Sequence, residues 1–176
     1  MSNGMEWIVR FELPNGGPGP ETVSSDDLAP EFDGIVVLLL RDHYCQVSRD
    51  RARAYSDAFP SFREAGVAVV AALPHEVDRA AYWRERYDLD FPVAADTTAG
   101  ASADAAADGT ATAMTDGTPR FDAFADIETG VDSLPGIGVL DTASKYPRLV
   151  HTEGGETLQE CPGPEDALDA ALDALR

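Results

Sequence analysis

Six consecutive apolar residues, 35–40, constrain the fold of this chain more than any other feature. A continuous run of this length is too short for most helices and is typical of a strand buried on both faces of a sheet. Residues 46–65 follow with apolar side chains at helical spacing, and residues 67–73 form a second apolar run. Strand, helix and parallel strand predict a right-handed βαβ unit and therefore an α/β fold.

Cys45 stands at the junction between the first of these strands and its helix. The partial positive charge of a helix N-terminus favours the thiolate, which is the nucleophilic form of cysteine. We therefore expect a reactive thiol, supported by nearby basic residues such as Arg49, and take a small buried hydrophobe as the alternative. Ser48 occupies the place of the second cysteine of a dithiol motif, so its hydroxyl either contacts the thiolate or serves a local backbone group.

The remaining elements follow from the same periodicities. Pro60 is expected to kink or end the helix that follows Cys45, and Gly66 to stop it. A Gly154–Gly155 pair marks a hairpin turn. Further strands are predicted at residues 7–13, 91–95, 137–141, 148–151 and 156–161, and further helices at residues 76–87 and from Pro164 onward, the last with a buried stripe of Leu168, Ala171, Leu172 and Leu175.

A chain of 176 residues with 44% hydrophobic composition is expected to form one globular domain over residues 1–176. Residues 97–119 consist mainly of Ala, Asp, Thr and Gly and can contribute little core, so they predict a surface insertion, partly helical around residues 102–107. Phe121, Phe124 and Ile127 are spaced to dock a short helix after it.

Charge limits the classes of partner. The chain has 32 acidic and 13 basic residues, a net charge of -19, and Lys145 is its only lysine. Such a charge repels phosphate backbones and anionic membrane surfaces, so we expect neither nucleic acid nor membrane as a partner. The composition resembles that of cytoplasmic proteins from extreme halophiles, in which molar salt screens the repulsion between carboxylates. With no signal-peptide pattern or membrane-spanning stretch, a cytoplasmic location is predicted.

The chain resembles the AhpC/TSA type of peroxiredoxin, within the thioredoxin fold. The opening Phe-Glu-Leu-Pro-Asn at residues 11–15 is similar to the start of that family, and the strand before Cys45 matches in position. The resemblance continues through Phe91 to Asp96 and resumes at Leu134 to Asp141. It implies a thioredoxin-like α/β fold in which a mixed sheet is flanked by helices, with an N-terminal strand extension.

The resemblance also implies a chemistry. Cys45 would attack a peroxide or a disulfide, a thioredoxin-like reductant would restore it, and neither a metal nor an organic cofactor would be needed. Pro135 would be the cis proline packed near the cysteine. Cys161 is a candidate resolving cysteine on a strand two places from the Cys45 strand, although an unpaired thiol is the alternative. A homodimer is a further candidate assembly.

Three departures from the family pattern leave a second hypothesis open. Leu38 and Asp42 stand where peroxiredoxins usually carry proline and threonine, and the catalytic arginine has no nearer match than Arg120. A carboxylate beside a thiol disfavours the thiolate. The alternative is therefore a thioredoxin-fold binding or structural protein without peroxidase chemistry. A zinc site that joins Cys45 and Cys161 to His43 and His151 is a remote further alternative.

Overall fold

The computed structural model describes residues 7–16, 21–41, 45–96, 121, 123–131, 134–143, 147–155, 157 and 160–175. Its strands are β1 Trp7–Ile8, β2 Glu12–Pro14, β3 Thr22–Ser24, β4 Gly34–Leu39, β5 Val67–Leu73, β6 Val93–Ala95, β7 Gly136–Asp141 and β8 Arg148–Gly154. Its helices are α1 Ser25–Leu28, α2 Gln46–Asp57, α3 Phe59–Glu64, α4 Val77–Arg86, α5 Ala125–Gly130 and α6 Pro164–Ala174.

A mixed sheet in the order β1-β8-β7-β4-β5-β6 organises the molecule. Strand β4 lies inside the sheet, parallel to β5 and antiparallel to β7. The βαβ unit predicted from the two apolar runs is therefore present. The N-terminal strand extension is also present in two parts, because β1 pairs with β8 at one edge while β2 and β3 form a separate hairpin.

Both faces of the sheet are covered, which explains why the β4 sequence is apolar without alternation. Val36 and Leu38 point to the face covered by α2, α3, α4 and α6, where they share a core with Phe62 and Trp83. The opposite face carries Ile35, Val37 and Leu39 and packs against the short helix that follows Phe121. Phe121, Phe124 and Ile127 are fully buried there, as their spacing predicted.

The helix after Cys45 is divided in two next to Pro60, as the sequence predicted. Helix α2 ends at Asp57, Ala58 leaves the helical region, and Pro60 lies in the first turn of α3. Gly66 follows with φ +81°, a backbone conformation that glycine adopts without a steric penalty, and β5 begins at the next residue. The expected positions of the helix break and helix stop are therefore confirmed.

The expected hairpin at Gly154–Gly155 is wrong. Strand β8 continues to Gly154 because its pairing with β7 extends that far, with Gly136 opposite Gly154. The backbone of Gly155 then lies against Glu160, so the chain folds back on itself there. In the described part of residues 156–161 no strand is present, and Cys161 lies in the loop that leads into α6.

Two smaller expectations need correction, and one lies outside the described part of the chain. The predicted strand at residues 7–13 is interrupted between β1 and β2. Helix α6 buries Ala167 and Ala171, whereas Leu172 is 36% exposed and does not belong to its buried stripe. The insertion at residues 97–119, with the helical turn expected inside it, lies outside the described residues.

Candidate active site at the end of strand β4

Cys45 caps the N-terminus of helix α2 just beyond the end of β4. Pairing with β5 continues through the N–H of Leu40, which donates to the carbonyl of Ala72 over 2.9 Å. Cys45 has an extended backbone (φ -77°, ψ 117°), as an N-cap residue requires, and its side chain is half-buried. The sequence-based placement of Cys45 at a strand-to-helix junction is therefore correct.

The Cys45 sulfur receives a hydrogen bond from its own helix. The backbone N–H of Ser48 donates to Cys45 Sγ over 3.4 Å, and the N–H of Arg49 donates to the Cys45 carbonyl over 3.0 Å. The first N–H groups of a helix have no partner within the helix and carry partial positive charge. A hydrogen bond of this kind favours the charged thiolate over the neutral thiol. The geometry suits a nucleophilic cysteine.

Ser48 contributes to this arrangement through two different groups. Its backbone N–H contacts the sulfur, while its fully buried side chain accepts a 2.8 Å hydrogen bond from the N–H of Arg41. The hydroxyl therefore serves as a local backbone partner, which was one of the two roles expected for it. It ties the start of the connection from β4 to the first turn of α2.

Arg49 contacts a tyrosine on the neighbouring helix. Its guanidinium carbon lies 5.8 Å from the ring centroid of Tyr87, which directly follows α4, and Arg86 lies at the same distance from that ring. Burial raises the pKa of Tyr87, but hydrogen bonds and charge from the two arginines outweigh it and lower the pKa overall. The Arg49 guanidinium therefore lies against the Tyr87 ring, and its expected support of the Cys45 thiolate stays a prediction.

Pro135 lies at the same edge of the sheet as Cys45. The Leu134–Pro135 peptide bond is cis, as the resemblance implied, and Gly136 immediately after it is opposite Leu39 at the end of β4. Pro135 is buried, and its carbonyl accepts a 3.1 Å hydrogen bond from the N–H of Gly155. This carbonyl is therefore already used within the fold.

Cys161 lies in the loop before α6 and approaches the face of α2. Its side chain is 1% exposed, and both cysteines are free thiols. Burial is the main cause that raises the pKa of the Cys161 thiol to about 11, while the charge and a hydrogen bond of Arg51 act to lower it. Glu153 and Cys45 also act to raise the pKa of Cys161.

Two residues of α2 that the sequence did not single out hold this loop in place. The Tyr55 hydroxyl donates to the carbonyl of Pro162 over 2.8 Å. Arg51 interacts with the Cys161 thiol, and its Nη1 lies 3.1 Å from the position that a Cβ on Gly163 would occupy. Burial, followed by the nearby Cys161, raises the pKa of Tyr55 well above its ordinary value, although Arg51 opposes this. Tyr55 thus stays a neutral hydrogen-bond donor.

Several expected participants lie outside the described residues. These include Asp42 and His43, which precede Cys45, and Arg120. Within the described ranges no group of three or more His, Cys, Asp or Glu side chains could hold a metal ion. None of the helices in the part of the chain that the structure describes is long and apolar enough to cross a membrane.

Three features define a thioredoxin-like α/β protein. They are the order of strands in the sheet, the cysteine at the N-terminus of α2, and the cis proline next to the strand end that precedes this cysteine. The sequence profile of the AhpC/TSA family matches residues 6–118, which is more than half of the chain. The chain therefore belongs to the AhpC/TSA family. A comparison with curated protein sequences gives no match.

Solved structures share this fold at low sequence identity. The peroxidoxin BcpB of Mycobacterium tuberculosis is 18% identical, with a TM-score of 0.60 over 97% of this chain and 94% of that chain. The yeast mitochondrial 1-Cys peroxiredoxin is 12% identical, with a TM-score of 0.64 over 99% of this chain and 76% of that chain. A thioredoxin-family thiol:disulfide interchange protein of Chlorobium tepidum is 13% identical, with a TM-score of 0.62 over 99% of this chain and all of that chain.

Proposed function

We propose that this protein is a thiol-dependent redox enzyme that reduces peroxides through Cys45. The observation that carries the proposal is the hydrogen bond from the Ser48 N–H to the half-buried Cys45 sulfur at the start of α2. Membership of the AhpC/TSA family supports it. The same thiolate suits thiol–disulfide exchange, the activity named for the similar interchange protein of Chlorobium tepidum.

The proposed cycle has two half-reactions. The Cys45 thiolate attacks one oxygen of the peroxide, the O–O bond breaks, and a proton goes to the leaving oxygen, which gives a sulfenic acid and an alcohol or water. A donor thiol then displaces water from the sulfenic sulfur to form a mixed disulfide, and a second donor thiol releases the Cys45 thiol. Neither half-reaction needs a metal or an organic cofactor.

We propose an external reductant for the second half-reaction, with Cys161 as a slow alternative. Burial of the Cys161 thiol and its pKa of about 11 leave very little thiolate at neutral pH. The hydrogen bond from the Tyr55 hydroxyl to the Pro162 carbonyl also restrains the loop that carries Cys161. A thioredoxin-like reductant fits the proposed one-cysteine cycle, and the similar yeast 1-Cys protein is described with glutathione and thioredoxin systems. Assembly as a homodimer stays a prediction.

A non-catalytic binding protein is the second candidate. Leu38, which stands where peroxiredoxins usually carry proline, is fully buried in the core between the sheet and its helices. Its side chain serves packing, as it would in a protein that kept the scaffold and lost the reaction.

Peroxide consumption with dithiothreitol as donor separates the two candidates. The enzymatic proposal predicts turnover by wild type and by Cys161→Ser, and its loss in Cys45→Ser, in which a hydroxyl keeps the helix cap. Equal consumption by wild type and Cys45→Ser would favour the binding protein. The assay is run in 0.1 M and 2 M KCl because the acidic composition predicts better folding in high salt.

A further inference from the structure

The positive charge of this chain is concentrated in one segment. Residues 41–86 carry eight arginines and seven acidic residues, whereas the rest of the chain carries five basic and 25 acidic residues. This segment contains α2, α3 and α4 and begins directly after β4. Helices α2, α3 and α4 therefore carry most of the arginines of an otherwise acidic chain.

Within this layer four side chains form a connected cluster, which we call the arginine–tyrosine patch: Arg49, Tyr82, Arg86 and Tyr87. The two guanidinium groups lie against the Tyr87 ring, each 5.8 Å from its centroid. Arg86 also hydrogen-bonds Tyr82, whose side chain is 58% exposed. Contacts with aromatic rings hold arginine guanidinium groups in place. The guanidinium groups still have N–H donors that can bind a partner.

The patch begins one helical turn from the candidate nucleophile. The N–H of Arg49 donates to the carbonyl of Cys45 over 3.0 Å, so the two Cα atoms are about 6 Å apart along the helix axis. A protein whose own thiol reaches the Cys45 sulfur must cover several hundred Å² of the surrounding surface. Tyrosine and arginine are the residues that most often dominate binding at such interfaces.

We propose that the arginine–tyrosine patch is the docking surface for an acidic thiol-donor protein that regenerates Cys45. The inference rests on the proposed function, because it concerns the donor of the second half-reaction. Carboxylates of the donor would pair with Arg86 and Arg49, and the acidic remainder of the chain would repel the same donor elsewhere. At 1 M salt the screening length is about 3 Å, so contact pairs persist while long-range steering is lost.

The test compares two donors in peroxide-consumption assays. One is an acidic thioredoxin kept reduced by thioredoxin reductase and NADPH, and the other is dithiothreitol, which needs no docking surface. Arg86→Glu and Tyr82→Ala are expected to raise the KM for thioredoxin about tenfold, the ratio typical of a lost interface contact, and to leave rates with dithiothreitol within about twofold.

Arg63→Glu is the matched control. Arg63 lies on α3 with its guanidinium carbon 5.8 Å from the ring of Phe59, a contact similar to that of Arg86. Helix α3 leads into the start of β5. Cys45 lies at the other end of these strands, beyond the end of β4. The charge reversal in Arg63→Glu is therefore expected to leave the KM for thioredoxin within about twofold of the wild-type value.

Two results would overturn the inference while the proposed function survives. One is an equal KM for thioredoxin in Arg86→Glu and Arg63→Glu, and the other is wild-type turnover with dithiothreitol but none with thioredoxin. Absence of wild-type turnover with dithiothreitol would instead refute the proposed function itself, and the docking inference with it.

Discussion

The backbone N–H of Ser48 donates a hydrogen bond to the sulfur of Cys45 over 3.4 Å. The sulfur thereby takes the place that a serine or aspartate oxygen usually fills at the start of a helix. The Ser48 hydroxyl, on the other side, accepts from the N–H of Arg41 over 2.8 Å. One residue thus fixes both the thiol and the chain that leads to it.

Ser48→Ala is expected to lower the free energy of unfolding by about 1 kcal/mol, since the N–H of Arg41 loses the acceptor that the Ser48 hydroxyl provides. It is also expected to change the rate at which iodoacetamide alkylates Cys45, because Arg41, four residues before the thiol, loses its hydrogen bond to the first turn of α2. Urea unfolding and alkylation kinetics measure the two effects.

Ser56→Ala is the control for this change. The Ser56 hydroxyl, in the last turn of the same helix, accepts a 2.9 Å hydrogen bond from the N–H of Asp90. Loss of this hydrogen bond in Ser56→Ala is expected to lower the free energy of unfolding by a similar amount, about 1 kcal/mol. The alkylation rate of Cys45 is expected to stay unchanged. If both variants alter the alkylation rate equally, Ser48 has no specific part in positioning the thiol.

Tyr55→Phe removes the hydrogen bond that holds the loop before α6. We expect a loss of about 1 to 1.5 kcal/mol in the free energy of unfolding and faster alkylation of Cys161, since the Pro162 carbonyl loses a 2.8 Å bond. Tyr82→Phe, at an exposed tyrosine, is expected to change stability by less than about 0.5 kcal/mol. Unchanged alkylation of Cys161 in Tyr55→Phe would show that this bond does not restrain the loop.

Stability is expected to fall at alkaline pH because of Cys161. Its folded pKa of about 11 lies above the ordinary thiol value, so the unfolded chain loses this proton first as the pH rises. This contribution to the free energy of unfolding is present below the unfolded pKa of about 9 and is lost as the pH rises toward 11, at a cost of roughly 3 kcal/mol.

Urea midpoints between pH 8 and 11, for wild type and Cys161→Ala, measure this effect. The variant is expected to lose less stability between pH 9 and 10, although it still carries Tyr55, whose pKa is also raised. Parallel pH profiles for the two proteins would contradict the assignment to Cys161.

Salt is expected to stabilise the folded protein. The net charge of -19 produces self-repulsion that molar salt screens, so the urea midpoint should be higher in 2 M KCl than in 0.1 M KCl at pH 7. Near the sequence pI of about 4.2 the net charge vanishes, and this salt effect should shrink. A midpoint that does not rise with KCl at pH 7 would refute the halophilic interpretation of the composition.

Local patterns predicted the fold well where a single segment determines its own structure. The apolar runs became β4 and β5, and proline and glycine ended the helices where expected. Cys161 was misplaced because the length of β8 depends on its register with β7, which lies in another segment. Likewise, no periodicity could show that Arg49 would contact Tyr87 or that Arg51 would contact Cys161. Both contacts join segments that are distant in the sequence and pack together on one face of the sheet.

Trapping the oxidised cysteine tests the central claim most directly. The protein is treated with one equivalent of hydrogen peroxide, or in a parallel sample with oxidised glutathione, and peptide mass mapping then locates a dimedone adduct or a glutathione mixed disulfide. We predict modification at Cys45, with Cys161 still a thiol. An unmodified Cys45 in both samples, or modification at Cys161 alone, would contradict the account.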